Sequence, residues 1–266
     1  MLFSEHLVVM RGGGDLGTGA AYRLTRAGFP VVVLELAEPL AIRRRVAAAS
    51  AVAEGRVEIE GLEARRVDTV PAACELARTG AIAVLVSAGL PEAMGQFGVV
   101  DARLAKANLD TRIDQAPCIV GLGPGFTAGV DCHAVVETMR CHHLGRVIWQ
   151  GSAAPNTGEP GVVGGVSAQR VVRAPADGAV EWSVAIGDLV TAGQSLGRAG
   201  EGEMTAPNDG VVRGLIAGGY GVTAGTKVAD IDPRADPAAC FEISDKALAV
   251  GGGVVEAILT RLNQTL

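Results

Sequence analysis

Runs of β-branched and aliphatic residues alternate with helix-like segments through the first half of the chain. The pattern predicts strands at residues 6–10, 31–35, 81–86 and 99–103, helices at 20–27 and 71–78, and a hairpin over 57–67 that turns at Gly61. Tyr22 and Leu24 fall on the buried side of the first helix, and Gly28 supplies its stop. Strands and helices in this order are typical of an α/β domain.

A glycine-rich segment, the first glycine loop, separates the first predicted strand from the first helix. It reads Arg11, Gly12, Gly13, Gly14, Asp15, Leu16 and Gly17, which fits the spacing GxGxxG. The first glycine of that pattern permits a sharp turn, the second lets a phosphate approach the backbone, and the third lets the helix pack on the strand. The N–H groups of the first helical turn attract an anion. Glu35 ends the second predicted strand, where an acid can bond a ribose hydroxyl. We predict a Rossmann-like unit whose loop either binds a nucleotide or is kept as a tight turn.

Polar residues cluster just beyond the strand predicted at 99–103. They are Asp101, Arg103, Lys106, Asn108, Arg112 and Asp114. Open α/β sheets bind their ligands at the carboxyl ends of strands, so Asp101 and Arg103 are candidate ligand contacts. Ordinary surface ion pairs explain the same residues equally well.

A second glycine loop spans residues 121–129. Gly121, Gly123 and Gly125 alternate around Pro124, and Phe126 and Thr127 follow. Such a composition can turn successive N–H groups toward one anion, although a tight turn without a ligand is the alternative. The loop lacks the GK[ST] sequence of a P-loop, which disfavours ATP hydrolysis of that type.

The C-terminal third contains a duplication at an offset of 32 residues. Over residues 174–197, 11 of 24 positions are identical to residues 206–229. Each copy is too small for its own core, so two interlocked copies predict a small β-sandwich. The pattern resembles the biotinyl/lipoyl carrier domain, but the turn over residues 199–205 has no lysine, so we expect neither biotin nor lipoate on it.

Composition and charge narrow the function classes. Glycine supplies 37 of the 266 residues, and the net charge is −6 with a single basic run, Arg43 to Arg45, which we interpret as a solvated helix face. The balance disfavours nucleic acid. No apolar stretch reaches the ~18 residues that a membrane helix needs. No signal peptide is evident, and the five cysteines suit a reducing cytoplasm better than a disulfide framework.

Cysteine and histidine are concentrated between residues 132 and 143. Cys132, His133, Cys141, His142 and His143 lie within twelve residues, and thiolate and imidazole ligands suit zinc or softer metals. No standard finger spacing fits, so core cysteines and surface histidines are the favoured interpretation and no metal site is assigned.

Several longer motifs make the chain similar to a known family, the accessory proteins of selenium-dependent molybdenum hydroxylases. The matching stretches are residues 11–16, 100–103, 121–129, 153–158, 173–178 and 243–246. Gly17 departs from the alanine expected in that family, a change that we expect to leave the turn unaltered. The resemblance implies a cytoplasmic role in maturing such a hydroxylase, with the hydroxylase or its sulfur or selenium donor as partner and a homo-oligomer among the options. It supplies no defined reaction.

The leading hypothesis is therefore a maturation factor that binds a small anionic cofactor, a nucleotide such as NAD(P) or a molybdopterin-type compound, at its glycine loops. Arg11 would neutralise ligand charge, and Cys118 or Cys132 is a candidate to hold molybdenum or sulfur. One alternative is an NAD(P)-dependent oxidoreductase, in which Arg43 to Arg45 would accept a 2′-phosphate. A non-enzymatic docking scaffold is the other.

The predicted fold class is α/β, with a Rossmann-like domain over residues 1–168 and a barrel-sandwich hybrid of the biotinyl/lipoyl type over 169–233. A helical segment over 234–266 returns to the first domain, with Ser244 as its cap. Gly251 to Gly253 interrupt this apolar segment, which predicts close packing of the helix.

Overall fold

The computed structural model describes residues 1–92, 94–156 and 170–265, which form a mixed α/β protein. Their contacts divide them into two compact units. The first comprises residues 1–39, 47–156 and 243–265, and the second comprises 40–46 and 170–242. One large mixed sheet lies in the first unit, and two antiparallel sheets lie in the second.

The first unit is built on a nine-stranded sheet in the order β3-β4-β5-β2-β1-β6-β7-β8-β9. Its strands are β1 (Val8–Arg11), β2 (Val31–Glu35), β3 (Arg56–Ile59), β4 (Leu62–Val67), β5 (Ile82–Val86), β6 (Gly98–Asp101), β7 (Cys118–Leu122), β8 (Ala134–Val136) and β9 (Val147–Ile148). The seven inner strands are parallel to one another. The two edge strands, β3 and β9, are antiparallel to their neighbours β4 and β8. The central strands are buried on both faces, which explains their continuous apolar sequence.

Four helices accompany this sheet in the described residues: α1 (Asp15–Ala27), α2 (Ala51–Glu54), α3 (Val70–Arg78) and α4 (Asp245–Thr265). Gly28 ends α1 in the left-handed conformation with φ +98°. The Thr69 side chain caps α3, and Ser244 Oγ accepts a hydrogen bond from Ala247 N at 3.1 Å, as its predicted role as a cap requires.

Glycines let α4 pack closely on the rest of the unit. A Cβ at Gly251 would lie 2.6 Å from Gly19 O, and one at Gly253 would collide with Gly145 O, while Gly252 faces open space. A Cβ at Gly19 would in turn lie 2.6 Å from Ala247 O. The predicted close packing of this helix is therefore present, and it involves two of the three glycines.

The second unit contains two four-stranded antiparallel sheets, β10-β17-β15-β12 and β14-β13-β11-β16. The strands are β10 (Val171–Arg173), β11 (Gly178–Trp182), β12 (Leu189–Val190), β13 (Ser195–Ala199), β14 (Gly202–Thr205), β15 (Gly210–Leu215), β16 (Gly221–Val222) and β17 (Lys227–Asp232). Adding 32 to the residue numbers of β10, β11, β12 and β13 gives, to within one residue, those of β14, β15, β16 and β17, respectively. Each sheet therefore combines two strands of one copy with two of the other.

Hydrogen bonds repeat with the same offset. Asp209 Oδ1 accepts from Ala192 N at 2.7 Å, and Asp177 Oδ1 accepts from Ala224 N at the same distance. The two aspartates thus tie each copy to a turn of the other, which accounts for their place in the duplicated sequence.

The arginine run differs from its predicted solvated helix face. Arg43 is buried and donates to Ala239 O and Glu242 O, and Arg44 donates to Leu215 O. Only a short 3₁₀ turn, Arg44–Val46, forms there. Residues 40–46 and 234–242 therefore belong to the second unit. The sequence predicts 40–46 in the first domain and 234–242 in the C-terminal helical segment.

Candidate functional site

The order of the strands changes direction at β1, because the strands that follow it in sequence lie first on one side of it and then, from β6 onward, on the other. The parallel strands β1 and β6 are neighbours, but β2 lies on the other side of β1. Open α/β sheets bind ligands at such a point. Arg11 and Asp101 are paired in register there as the last residues of the two strands. We call this region, with Gly14, Arg103, Asp110 and Thr111, the switch-point site.

A network of ion pairs forms the base of the switch-point site. The Arg11 guanidinium, 2% exposed, donates to Asp110 Oδ2 at 2.7 Å and to Thr111 Oγ1 at 3.2 Å. Arg103 donates to Asp101 Oδ2 and to Asp110 Oδ1, both at 2.6 Å. Thr111 Oγ1 donates to Asp101 Oδ2 at 2.6 Å. Both arginines are thus paired with carboxylates, so the charge of Arg11, which we expected to neutralise ligand charge, is engaged by Asp110.

The charges of this network keep both aspartates ionised. Burial by itself raises the pKa of Asp101, but hydrogen bonds from Arg103 and Thr111 and the charge of Arg103 bring it below its ordinary value. A hydrogen bond from Arg11, with one from Arg103, lowers the pKa of Asp110 to about 2. The network therefore stays charged at neutral pH.

The first glycine loop depends on two glycines for its shape. Gly12 has φ +100°, and a Cβ there would lie 3.1 Å from Ala102 O. A Cβ at Gly17 would collide with Gly12 O. The turn of this chain therefore needs glycine at position 17, because its own backbone occupies the space that a side chain would take.

Gly13 is buried and its peptide group is fully engaged. Its N–H donates to Glu35 Oε2 at 2.8 Å, and its carbonyl accepts from Thr18 Oγ1 and Ala49 N, both at 2.9 Å. The other carboxylate oxygen of Glu35 accepts from Leu36 N at 2.8 Å. Glu35 thus holds the loop against β2, and a ribose hydroxyl would have to compete with two backbone donors.

Gly14 is the open position of the loop. A Cβ there would meet nothing within 4 Å, and Gly14 serves as the N-cap of α1 without a side-chain hydrogen bond. Asp15, the next residue, is an acidic residue in the first turn of the helix. Because the first N–H groups of a helix have no partner within it, this end of α1 attracts anions.

The second glycine loop uses three of its four glycines for packing, whereas Gly129 has open space and φ +87°. A Cβ at Gly121 would lie 2.5 Å from the ring of Phe126, one at Gly123 would collide with Thr138 Oγ1, and one at Gly125 would lie 2.7 Å from Ala107 N. The N–H of Thr127 donates to Asp131 Oδ2 at 2.8 Å. The Asp131 carboxylate, just beyond the loop, therefore already accepts the hydrogen bond of this N–H group. These contacts favour the tight-turn interpretation that the sequence left open.

A small cavity adjoins the switch-point site. It has a volume of about 300 Å³ and is lined by Thr111, Arg112, Ile113, Asp114, Val130 and Asp131. Arg112 and Asp114, both in the predicted polar cluster, form an exposed ion pair at 3.0 Å on its wall. The cavity thus connects the network at the base of the site with the second glycine loop.

The sequence pattern missed four residues at this edge of the sheet. Asp110 and Thr111 complete the network, and Glu137 follows β8, is 4% exposed and accepts from Met139 N and Ala154 N. Lys246 lies in the first turn of α4, and no ion pair or hydrogen bond engages its amine within the described ranges. Burial and the charge of Arg140 lower its pKa, while the carboxylates of Asp15, Glu137 and Asp245 oppose them.

The cysteines beside the second loop are neutral. Burial raises the pKa of Cys118 and of Cys132 to about 12, so neither is a thiolate at neutral pH. His133 Nδ1 accepts from Ile119 N at 3.0 Å, and burial lowers the pKa of this ring. Among residues 1–92, 94–156 and 170–265, no three histidine, cysteine or carboxylate side chains come together as metal ligands.

No helix in the described part of the chain has the length and apolar character that crossing a membrane requires.

Comparison with known proteins gives a relative of known sequence and distantly similar solved structures. No family model matches the chain. The chain is 48% identical over 262 residues to the uncharacterized protein YqeB of Escherichia coli (strain K12). The alignment covers 98% of this chain and 48% of YqeB, so the chain spans about half the length of the curated relative it matches.

Among solved structures, the product-bound ectoine utilization protein EutE (DoeB) from Ruegeria pomeroyi is 12% identical with a TM-score of 0.23, over 84% of this chain and 56% of that one. A succinylglutamate desuccinylase/aspartoacylase from Rhodobacter sphaeroides is 18% identical with a TM-score of 0.27, over 85% and 84%. At these scores neither structure bears on what this chain does.

Proposed function

We propose that this chain binds a small ligand carrying a phosphate at the switch-point site. The observation that carries the proposal is Gly14, which leaves the uncapped N-terminus of the thirteen-residue helix α1 open beside the ends of β1 and β6. Backbone N–H groups and the helix dipole favour a phosphate at such a position. Lys246, in the first turn of α4, would add a cation: burial lowers the pKa of its amine, and the carboxylate of Asp15 at the start of α1 opposes that shift.

The contacts of the loop favour a phosphate-bearing ligand such as a molybdopterin over NAD(P). Both oxygens of Glu35 accept from backbone N–H groups, and Gly13 is buried beneath Ala49. Arg43 and Arg44 donate to carbonyls of the second unit, so they are not poised to receive a 2′-phosphate. A dinucleotide in the usual pose would have to displace these contacts.

We interpret the first unit as a Rossmann-like domain and the second as a barrel-sandwich hybrid of the biotinyl/lipoyl type. The strand order around β1 and the glycine turn into α1 support the former. The exchange of strands between the two copies supports the latter. The turn between β13 and β14 holds Gly200 and Glu201 where a carrier domain has its lysine, so the second unit would carry neither biotin nor lipoate.

In the cell, we propose, this site serves the maturation of a selenium-dependent molybdenum hydroxylase in the cytoplasm, with the hydroxylase or its sulfur or selenium donor as partner. The motifs shared with the accessory proteins of these enzymes support this role. Cys118 and Cys132 are poor candidates for holding molybdenum or sulfur, because both thiols stay protonated at neutral pH.

Calorimetric titration with molybdopterin, ADP and NADH tests the site. We expect saturable binding of molybdopterin by the wild-type protein, loss of binding in Gly14→Val, and about tenfold weaker binding in Lys246→Gln. Gly252→Val is the matched control, because Gly252 also faces open space and should bind like wild type. No binding by wild type, or equal binding by Gly14→Val, would overturn the assignment. Tighter binding of NADH would favour the oxidoreductase.

The maturation role needs a separate measurement. A selenium-dependent molybdenum hydroxylase is purified from cells that produce the wild-type chain, Gly14→Val or no chain. We expect its molybdenum and molybdopterin content to fall in the last two cases. An unchanged content would contradict the role without affecting ligand binding.

A further inference from the structure

The two sheets of the second unit are equivalent by sequence but differ in what lies on them. In the sheet β10-β17-β15-β12, which we call the covered sheet, residues 40–46 lie along β15. A Cβ at Gly214 would be 2.6 Å from Ile42 O, and Arg44 Nε donates to Leu215 O at 2.8 Å. The segment that covers β15 is short and contains three arginines in succession.

The sheet β14-β13-β11-β16, which we call the open sheet, presents a groove at the equivalent place. The groove has a volume of about 420 Å³, and Glu181, Trp182, Ser183, Arg198, Glu201 and Glu203 contribute to its walls. An offset of 32 residues relates Ser183 to Leu215 and Trp182 to Gly214. Ser183 is exposed. On the covered sheet, the carbonyl of its equivalent, Leu215, accepts the hydrogen bond from Arg44.

The groove is acidic. Arg198 donates to Glu181 Oε1 at 2.9 Å and to Oε2 at 2.8 and 3.0 Å. The two charges offset each other. Glu201 and Glu203 have no ion pair within the part of the chain that the structure describes. Two carboxylates therefore remain uncompensated beside the indole of Trp182, whose orientation is fixed by a 2.9 Å hydrogen bond from Nε1 to Ile216 O.

We propose that the open sheet docks an extended segment of a partner protein that carries arginine or lysine. The segment lies in the groove beside Trp182, whose side chain stands where Gly214 makes room for Ile42 on the covered sheet. Its cations pair with Glu201 and Glu203 and stack on the face of Trp182, a favoured position for a guanidinium. The occupant is basic because the groove has excess negative charge. This interaction surface is independent of the ligand proposed for the switch-point site.

A peptide of the chain's own covering sequence serves as the probe. A fluorescently labelled peptide of residues 38–47 is titrated into the full-length protein and followed by anisotropy. A second peptide carries glutamine in place of the three arginines. We expect saturable binding of the first peptide, at least tenfold weaker binding of the second, and weakening of the first as salt is raised.

Variants of the protein locate the binding surface. Glu201→Gln with Glu203→Gln is expected to weaken the arginine peptide about tenfold, whereas Glu5→Gln with Glu92→Gln, two exposed glutamates of the first unit, leaves binding unchanged. Equal binding by both double variants would overturn the proposal, because the peptide would then be replacing residues 40–46 on the covered sheet or binding elsewhere. Equal binding of the two peptides, or no binding by wild type, would overturn it as well.

Discussion

The two glycine loops follow parallel strands of the same sheet, and each contains four glycines at close spacing. The loop after β1 leads into α1, and its Gly14 has nothing within 4 Å of where a Cβ would be. The loop after β7 leads into no helix, and the positions of Gly121, Gly123 and Gly125 are all closely packed. In both loops a side-chain carboxylate accepts a hydrogen bond from a backbone N–H group. Glu35 accepts from Gly13 in the closed part of the first loop, and Asp131 accepts from Thr127 in the second.

This difference separates two uses of glycine. In the second loop the missing side chains make room for protein, so the loop has no surface left for a ligand at those positions. In the first loop Gly12 and Gly17 have that same packing role, and Gly14 keeps open space beside the first turn of α1. A glycine-rich sequence therefore indicates a turn, and the open position at the helix N-terminus is where we propose that the ligand binds.

The largest expected effect separates the packing and binding roles within the first loop. Gly17→Ala places a Cβ against Gly12 O and should lower the free energy of unfolding by about 3 kcal/mol. Gly14→Ala meets no atom and has φ −70°, so its unfolding free energy should stay within about 0.5 kcal/mol of wild type. Urea denaturation followed by circular dichroism measures both. Similar losses in the two variants would remove the distinction between these glycines.

The second loop should be sensitive at the position that the sequence offered as a phosphate contact. Gly123→Ala combines φ +76° with a collision at Thr138 Oγ1, and we expect a loss of about 2 kcal/mol. Adding Thr138→Ala removes the collision but not the backbone strain. The double-mutant cycle should therefore show a coupling of about 1 kcal/mol. Additive effects would mean that Gly123 tolerates a side chain and that the loop has more room than its contacts indicate.

A smaller effect compares the carboxylates that hold the two loops. Glu35 accepts from Gly13 N and Leu36 N, so Glu35→Gln turns an amide group toward one of these donors and should cost about 1.5 kcal/mol. Asp131 accepts from Thr127 N, and Asp131→Asn keeps one suitable oxygen, so its cost should be about 0.5 kcal/mol. Thermal unfolding at pH 7 ranks the two. A larger loss for Asp131→Asn would contradict this view of the loops.

Much of the fold follows from patterns that the sequence displays locally. The predicted strand 31–35 is observed at Val31–Glu35, the hairpin turns where Gly61 has φ +74°, and the repeat offset relates strands of the two antiparallel sheets. These features depend on side-chain periodicity and turn chemistry within a few residues. Such local preferences are strong enough to be recognised without tertiary contacts.

The base of the candidate site could not be predicted in the same way. Asp110 and Thr111 lie nine and ten residues beyond β6, in a segment without periodicity, and reach Arg11 only after the backbone turns through positive φ at Leu104 and Lys106. The burial of Arg43 is equally invisible locally, because carbonyls almost two hundred residues away receive its hydrogen bonds. Both features arise from long-range partners that no periodic pattern marks.

The weakest expected effect is acid sensitivity of the network beneath the first loop, which has no counterpart beneath the second. Arg11 and Arg103 lower the folded-state pKa of Asp110 to about 2, whereas its ordinary value is 3.8. The ionised carboxylate therefore stabilises the fold above about pH 4, and this contribution is lost as the pH falls from about 4 through 2. Because the Asp110 side chain is 53% exposed, solvent screening limits it to about 1 kcal/mol or less. Asp110→Asn should lower stability by that amount at pH 7, and its unfolding free energy should fall less steeply than that of wild type between pH 5 and 2. Parallel pH profiles would show that Asp110 is not held by the arginines.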